Sequence, residues 1–435
     1  MGKARPGTPR PLRILMLSLN YAPEEIGIGP YSAGLAQMLA ADGWQVDVVA
    51  GAPYYPQWQC QPGYAGWTSA AEQGVRVARV PHYVPQRPTG PRRLLHHASF
   101  AAAAAFPALK RALQRRPDVV FAVAPAMMAM PVAWAAARLS GAKLWLHVQD
   151  FEVETALATG LLGRPELKGK GLAGKGLVAR AALGLEGVML RAADMVSSIS
   201  PNMCDRLAQK GVPPPRIMQL RNWANHEDSA AAADPDRLAR EWGLQGKKIA
   251  LYSGNIGRKQ GLETIIDCAR LLHGRTDLAF IICGNGPERS QLEIRAKGLR
   301  NIQFHPLQPA SGVGDLLALA DVHLLPQLAD AADLVLPSKL ANMLGSGRPV
   351  VAGAAPGTAL ADEVTGCGLV VAPEQAQAMA DAIVRLCDDG ALAATLGAAA
   401  KARAQDRWTK SAVMAGLAPR LHALSGRAWA VASAD

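Results

Sequence analysis

The apolar run Ile249–Tyr252 leads into Ser253-Gly254-Asn255-Ile256-Gly257-Arg258-Lys259-Gln260-Gly261, and a helix-like stretch follows. The glycines let backbone N–H groups approach an anion closely, the helix N-terminus adds positive partial charge, and Arg258 and Lys259 add two full charges. The chemistry offered is the cradling of a diphosphate. An ordinary strand-to-helix turn with a solvated basic pair is the competing reading. A second apolar run ends in Cys283-Gly284-Asn285-Gly286-Pro287-Glu288, a turn on the same sheet edge that suits a nucleoside or no ligand at all. In the third element, Leu336-Pro337-Ser338-Lys339-Leu340-Ala341-Asn342, Pro337-Ser338 suits a helix start and Asn342 falls one turn beyond Ser338. A phosphate and a ribose can be met there together.

In the first half, His147, Asp150, Glu152 and Glu154 cluster after the run Lys143–His147. An imidazole and carboxylates at a strand end can position an acceptor hydroxyl. A satisfied core histidine and two glutamates capping the next helix are the alternative. Near the N-terminus, Gly27 and Gly29 are followed by Ser32 rather than a third glycine, so the dinucleotide fingerprint G-x-G-x-x-G of a dehydrogenase is not met.

Positioning these loops requires parallel sheets. Short apolar runs alternate with amphipathic stretches: Ile14–Leu19, Val46–Ala50, Val75–Val80, Val119–Val123, Lys143–His147 and Met195–Ile199 read as strands with helices between them. That gives a first domain over residues 1–222, a polar, Ala-rich linker over 223–247, and a second alternating domain over 248–390. An Ala-rich helical tail, 391–435, is expected to pack back on the first domain. The fold class is α/β, two Rossmann-like, doubly wound parallel sheets, with ligands at the carboxyl ends of the strands in the crevice between the domains. Val119–Ala137 is a run of apolar residues long enough to be weighed as a membrane span, but Pro125 and Pro131 interrupt it; a strand, a turn and a helix are expected.

Composition narrows the partners. The chain has 435 residues, half of them apolar, with 46 Lys and Arg against 35 Asp and Glu and a formal charge of +11. The excess favours an anionic partner: phosphate, nucleic acid or an anionic membrane face. With 5% aromatic residues and no recognised module, nucleic acid is the weakest of the three. Six cysteines, far apart and without a C-x-x-C pair, suggest neither disulfides nor a zinc site and fit a reducing cytosol.

The motifs together, strand–Gly-Asn-x-Gly-Arg, Cys-Gly-Asn-Gly-Pro, Leu-Pro-Ser-Lys-Leu and Gly347-Arg348-Pro349-Val350, resemble the carboxyl half of family 4 retaining glycosyltransferases of GT-B fold. The first half agrees: Tyr21–Gly29 resembles that family's glycine-rich first loop, Pro117–Val120 its third-strand entry, and Arg191–Asp194 with Ser198–Ser200 the end of its first domain. The likeness covers about residues 12–410. Within the family, Leu146–Ala156 is similar to the colanic acid biosynthesis fucosyltransferase type of bacterial exopolysaccharide pathways.

The resemblance implies transfer of a sugar, with fucose a candidate, from a nucleoside diphosphate sugar to a lipid-linked saccharide, without metal or other cofactor. Arg258 and Lys259 would neutralise the donor diphosphate, with Gly27, Gly29, Gly254, Asn255, Gly257, Gly284, Gly286, Pro337, Ser338, Lys339 and Asn342 around the donor, and His147 and Asp150 at the acceptor. Two departures stand out. Gln260 occupies a position where the family usually has Lys, so the second cation must be Lys259 or Lys339. The family's paired glutamates fall on Leu334 and Asn342; neighbouring Asp333 could support charge at the anomeric carbon, and Asn342 can hydrogen-bond ribose hydroxyls.

The basic, apolar stretches Arg92–Arg116 and Lys168–Arg180 suit an anionic membrane surface or a solvated helix face. A cytoplasmic protein, peripheral at the inner face of the membrane, is expected. A nucleotide-sugar epimerase and a non-catalytic nucleotide-sugar-binding protein are the rival functions.

Overall fold

A computed structural model describes residues 10–25, 27–125, 127–151, 177–224, 233–329 and 336–426. The chain forms two compact units: residues 1–220 with 414–435, and residues 221–413.

The first unit holds an eight-stranded sheet. Its elements are β1 (Arg13–Ser18), α1 (Gly29–Ala41), β2 (Gln45–Gly51), β3 (Thr68–Glu72), β4 (Val75–Val80), α2 (Gly90–Arg115), β5 (Val119–Ala124), α3 (Met130–Ser140), β6 (Lys143–Val148), α4 (Leu177–Ala192), β7 (Met195–Ser198), α5 (Pro201–Gln209) and β8 (Ile217–Gln219). The strand order is β3-β4-β2-β1-β5-β6-β7-β8, parallel except for β3. Buried Val, Leu and Ile fill the central strands, as expected when helices cover both faces. Because β4, β5, β6 and β7 step in one direction across the sheet, right-handed crossovers put α2, α3 and α4 on one face and α1 on the other. Phe100, Ala104, Ala133, Ala136 and Leu190 from those three helices share one core with Leu15, Leu17 and Val120.

The second unit begins with α6 (Pro235–Glu241) and a six-stranded parallel sheet, order β11-β10-β9-β12-β13-β14. The strands and helices are β9 (Lys248–Ser253), α7 (Glu263–Leu271), β10 (Leu278–Cys283), α8 (Arg289–Arg295), β11 (Ile302–His305), α9 (Val313–Leu319), β12 (Val322–Leu325), α10 (Lys339–Gly345), β13 (Val350–Gly353), α11 (Ala359–Val364), β14 (Gly368–Val371), α12 (Ala376–Asp388) and α13 (Gly390–Arg407); α14 (Lys410–Ser425) starts in this unit and runs into the first.

Val119–Ala137 resolves into β5, a turn and α3, and no described helix is long and apolar enough to cross a membrane. Two expected boundaries shift. The stretch read as a linker contains α6, capped by Asp234 and held by the buried Leu238 and by Arg237, whose guanidinium meets Asp315 at 2.7 Å. The tail assigned from residue 391 begins with α13, which stays in the second unit: Gly397 packs on the Gly347 carbonyl, where a Cβ would come within 2.3 Å, and Ala400, Ala404 and Trp408 are buried. The chain rejoins the first unit at Met414, and His422 packs edge-on against Trp44 there.

Candidate functional site

In the second unit, the loops after β9 and β10 interlock backbone to backbone. Gly254 N–H donates to Cys283 O and Ile256 N–H to Asn285 O, both at 2.9 Å. A Cβ on Gly284 would lie 1.9 Å from the Gly254 carbonyl oxygen, and one on Gly286 2.1 Å from that of Ile256. Only glycine fits at either position. Their requirement is thus explained by loop–loop contact, before any ligand is considered. Arg289 completes the brace by donating to the carbonyls of Gly284 and His305 at 2.6 and 2.9 Å.

Beyond Ile256, which is buried, Gly257 opens a short 3-10 turn over Arg258–Gln260. Gln260 Oε1 accepts the Gly257 N–H at 3.2 Å, so the residue standing where a lysine was expected fastens the turn instead of supplying charge. Gly261 closes it at φ 60°, against Leu328. Asn255, Arg258 and Lys259 are exposed, and neither cation has an ion pair among the described residues.

The third loop delivers Lys339 to the same place. Its Nζ donates to Tyr252 Oη at 2.6 Å, lies 4.1 Å from the centre of that ring, and would be 3.2 Å from a Cβ on Gly254. Tyr252 passes the bond on, donating to Asn255 O at 2.6 Å. The residue is half-buried, but its ammonium end is enclosed by neutral groups, and desolvation pulls its pKa down to about 7. Ser338 makes no capping bond to α10 and is exposed; Pro337 and Asn342 are half-buried, and Asn342 lies one helical turn after Ser338. The second unit therefore brings Gly254, Asn255, Gly257, Arg258, Lys259, Gly284, Gly286 and Lys339 together at the carboxyl ends of β9 and β10. Asp333 and Leu334 lie outside the described residues. Tyr252 and Arg289 went unnoticed in the sequence: a tyrosine inside an apolar run and an arginine on a helix carry no local signal.

In the first unit, the loop after β1 is built on Glu24. Its buried carboxylate accepts the backbone N–H groups of Tyr54 and Tyr55 at 3.0 Å and Asn20 Nδ2 at 2.9 Å, while burial raises its pKa. Gly29 packs on Glu24, where a Cβ would come within 2.8 Å, and Gly27, at φ 77°, faces the Tyr55 ring. Glu24 is the fastener of this loop, and only the fold shows it.

His147 corrects an expectation. The side chain is 4% exposed, its Nδ1 meets Ser197 Oγ at 2.9 Å, and Trp145 Nε1 donates to the same hydroxyl at 2.8 Å. Desolvation depresses its pKa to about 4. Tied into the core between β6 and β7, it is not presented to a substrate. Asp150 stands half-buried just past the end of β6, and Glu152 and Glu154 lie outside the described residues.

Comparison with known proteins agrees with this architecture. The profile of the Glycosyl transferase 4-like domain matches residues 27–223, and that of Glycosyl transferases group 1 matches residues 247–389. The chain is 41% identical over 379 residues, 85% of its length and 90% of the relative's, to a protein of Escherichia coli K12 named for colanic acid biosynthesis, the glycosyl transferase WcaI. It is 30% identical over 207 residues to alpha-D-kanosaminyltransferase of Streptomyces kanamyceticus, covering 46% of this chain and 53% of that one. Among solved structures, sucrose-phosphate synthase of Thermosynechococcus elongatus superposes with a TM-score of 0.68 at 19% identity, over 95% and 99% of the two chains. HepE of Anabaena, in complex with UDP, gives 0.63 at 15% identity over 95% and 100%. With two parallel α/β sheets, loops gathered at the strand ends and a relative matched over nearly its whole length, the chain belongs to the GT-B glycosyltransferases, joining a glycosyl transferase 4-like domain to a group 1 domain.

Proposed function

We propose that this glycosyltransferase retains anomeric configuration and moves a sugar, with fucose a candidate, from a nucleoside diphosphate sugar to a lipid-linked saccharide in assembly of a colanic acid-like exopolysaccharide. The observation that carries the donor reading is the Lys339 ammonium, held on Tyr252 Oη against the glycine-built loop that also bears Arg258 and Lys259, two exposed cations without an ion pair among the described residues. A diphosphate would satisfy all three charges without a metal ion. HepE, of the same fold, has been crystallised with UDP and with UDP-glucose, and the Escherichia coli relative is named for colanic acid biosynthesis. Both likenesses support the reading.

In this reading the sugar–phosphate bond breaks as the acceptor oxygen bonds the anomeric carbon on the same face, and a leaving-phosphate oxygen takes the acceptor's proton. No protein nucleophile is consumed. Arg258, Lys259 and Lys339 stabilise the charge developing on the diphosphate, where pre-placed cations act most strongly. Asp150 positions the acceptor hydroxyl.

The test is a screen of nucleoside diphosphate sugars for nucleotide release, with and without a lipid-linked saccharide and with chelator present. Release that needs the acceptor and survives the chelator is expected. Conversion of donor alone would instead identify an epimerase, and binding without release under any condition a non-catalytic binding protein.

A further inference from the structure

Between Glu72 and Asp150 the sequence contains eleven Lys or Arg and one carboxylate, Asp118. Asp118 accepts the backbone N–H of Arg13 at 2.8 Å, at the amino end of the sheet. The structure turns much of this acid-free stretch into a surface. Helices α2 and α3 lie side by side with α4 next to α3, all on one face of the first sheet. Their inward sides fill the core, and their exposed sides leave large apolar groups in solvent: Leu94, Leu95, Phe106 and Leu113 on α2, Trp134 and Leu139 on α3, Leu185 and Val188 on α4. Leu95, Phe106 and Leu113 are 11 and 7 residues apart, near whole numbers of helical turns, so these three form one stripe opposite Phe100 and Ala104, with Leu94 beside its start. Across the described residues of the second unit, only Leu271, Ile294 and Leu307 are comparably exposed. Exposed apolar groups gathered on one side of a unit in this way mark an interaction surface.

Its chemistry identifies the partner. Phe106 is 70% exposed with Lys110 Nζ 5.9 Å from its ring centre, and Trp134 is 44% exposed with Arg138 Cζ 5.6 Å from its own. Adjacent helices thus each present an aromatic ring and a cation one turn apart. Such a pair suits a bilayer interface: the ring enters the headgroup level while the long basic side chain reaches the phosphates. The carboxylate of α4, Glu186, is buried against Lys210 at 2.5 Å and adds no negative charge to the patch. Two basic groups of α2 are occupied elsewhere, Arg111 with Asp47 and Arg93 over the Trp58 ring.

We propose that the outward face of α2, α3 and α4 seats the first unit on an anionic lipid surface, with Phe106 and Trp134 as anchors and Lys110 and Arg138 on lipid phosphates. This inference rests on the reading of the acceptor as lipid-linked and adds to it the face and the residues that meet the bilayer.

The full chain is to be sedimented with phosphatidylcholine vesicles, with and without phosphatidylglycerol, as wild type, as Phe106→Ser/Trp134→Ser and as Lys110→Gln/Arg138→Gln. All four side chains point outward, and thermal melting checks that each variant folds. Wild type should sediment with the anionic vesicles and stay in solution with the neutral ones. The aromatic pair should lower binding about tenfold or more at any salt concentration. The basic pair should lower it chiefly at low salt. Wild type that ignores anionic vesicles, or variants that bind as wild type does, would overturn the assignment. So would a wild-type dimer that dissociates in the aromatic variant, because the face would then join two copies of the chain. Transfer to a water-soluble acceptor analogue should be unchanged in both variants. Should anionic vesicles bind as expected while no lipid-linked saccharide is ever glycosylated, the acceptor reading fails and the docking face stands.

Discussion

Lys339 Nζ and Tyr252 Oη are 2.6 Å apart, and through this bond the start of α10 is fixed to the end of β9. Tyr252 in turn donates to the carbonyl of Asn255, so a cation, a strand and the first loop are joined by two consecutive hydrogen bonds. Position 260 itself is glutamine, and the lysine of this loop cluster arrives from 79 residues further along the chain. The enclosure also gives it a property that an exposed lysine lacks, a pKa near neutrality.

Donor binding should therefore depend on pH. With a pKa of about 7 in the empty site, Lys339 loses its charge as pH rises through neutrality. Binding of an anion raises that pKa, so a proton is taken up on binding near neutral pH. Calorimetry of nucleotide binding in buffers of different ionisation enthalpy should show this uptake, and Lys339→Met should abolish it while weakening donor binding about tenfold to a hundredfold. Uptake unchanged in the variant would assign the proton to another group.

Arg258→Ala and Lys259→Ala should each raise the donor KM about tenfold, the low end for a charge-assisted contact because both side chains are exposed. The double variant should be the weakest. Donor kinetics identical to wild type in both single variants would remove these two from the site.

Asp150→Asn should lower the rate of sugar transfer while leaving nucleotide affinity nearly intact, because Arg258, Lys259 and Lys339, the cations proposed for the diphosphate, belong to the other unit. Nucleotide titration alongside steady-state transfer separates the two effects. A loss of nucleotide affinity equal to the loss of rate would contradict the acceptor role.

The protein should be labile to acid. Desolvation holds His82, His96, His97 and His147 at pKa values of about 4 and His323 at about 3. In the unfolded chain a histidine titrates near 6.5. Below that pH the unfolded state binds protons that the folded state refuses, so the contribution is full above about 6.5 and falls as pH drops toward 4. Each histidine costs up to about 1.4 kcal/mol per pH unit across this window. Melting temperatures from pH 7.5 to 4.5 should decline steeply, and His82→Phe, which removes one titrating group, should flatten the decline. A flat profile would mean that these histidines are hydrated.

The alternation of apolar runs and amphipathic helices was enough to place the central strands of both sheets, while the edge strands β3, β8 and β14 went unread. Val75–Val80 matches β4 residue for residue, and the strand starts near Val46, Val119 and Lys143 shift by one residue at most. Buried parallel strands announce themselves because both of their faces must be apolar. Short edge strands do not: β3, with its exposed Ser69 and Ala70, has no buried face to leave a pattern. The glycine loops and their basic residues were equally legible, since close backbone approach allows one residue type only.

What the sequence left undecided depends on burial and on partners distant in the chain. His147 reads the same whether it faces solvent or Ser197, fifty residues away. Lys259 and Lys339 were equal candidates for the second cation until folding left one exposed and enclosed the other against Tyr252. Leu95, Phe106 and Leu113 read as part of an amphipathic helix in either orientation. The sheet decides which side faces inward, and it seats the alanine side, because small side chains let α2 approach the strands and α3 closely. Local sequence sets which elements form; desolvation, which depends on the whole fold, sets what their side chains can do.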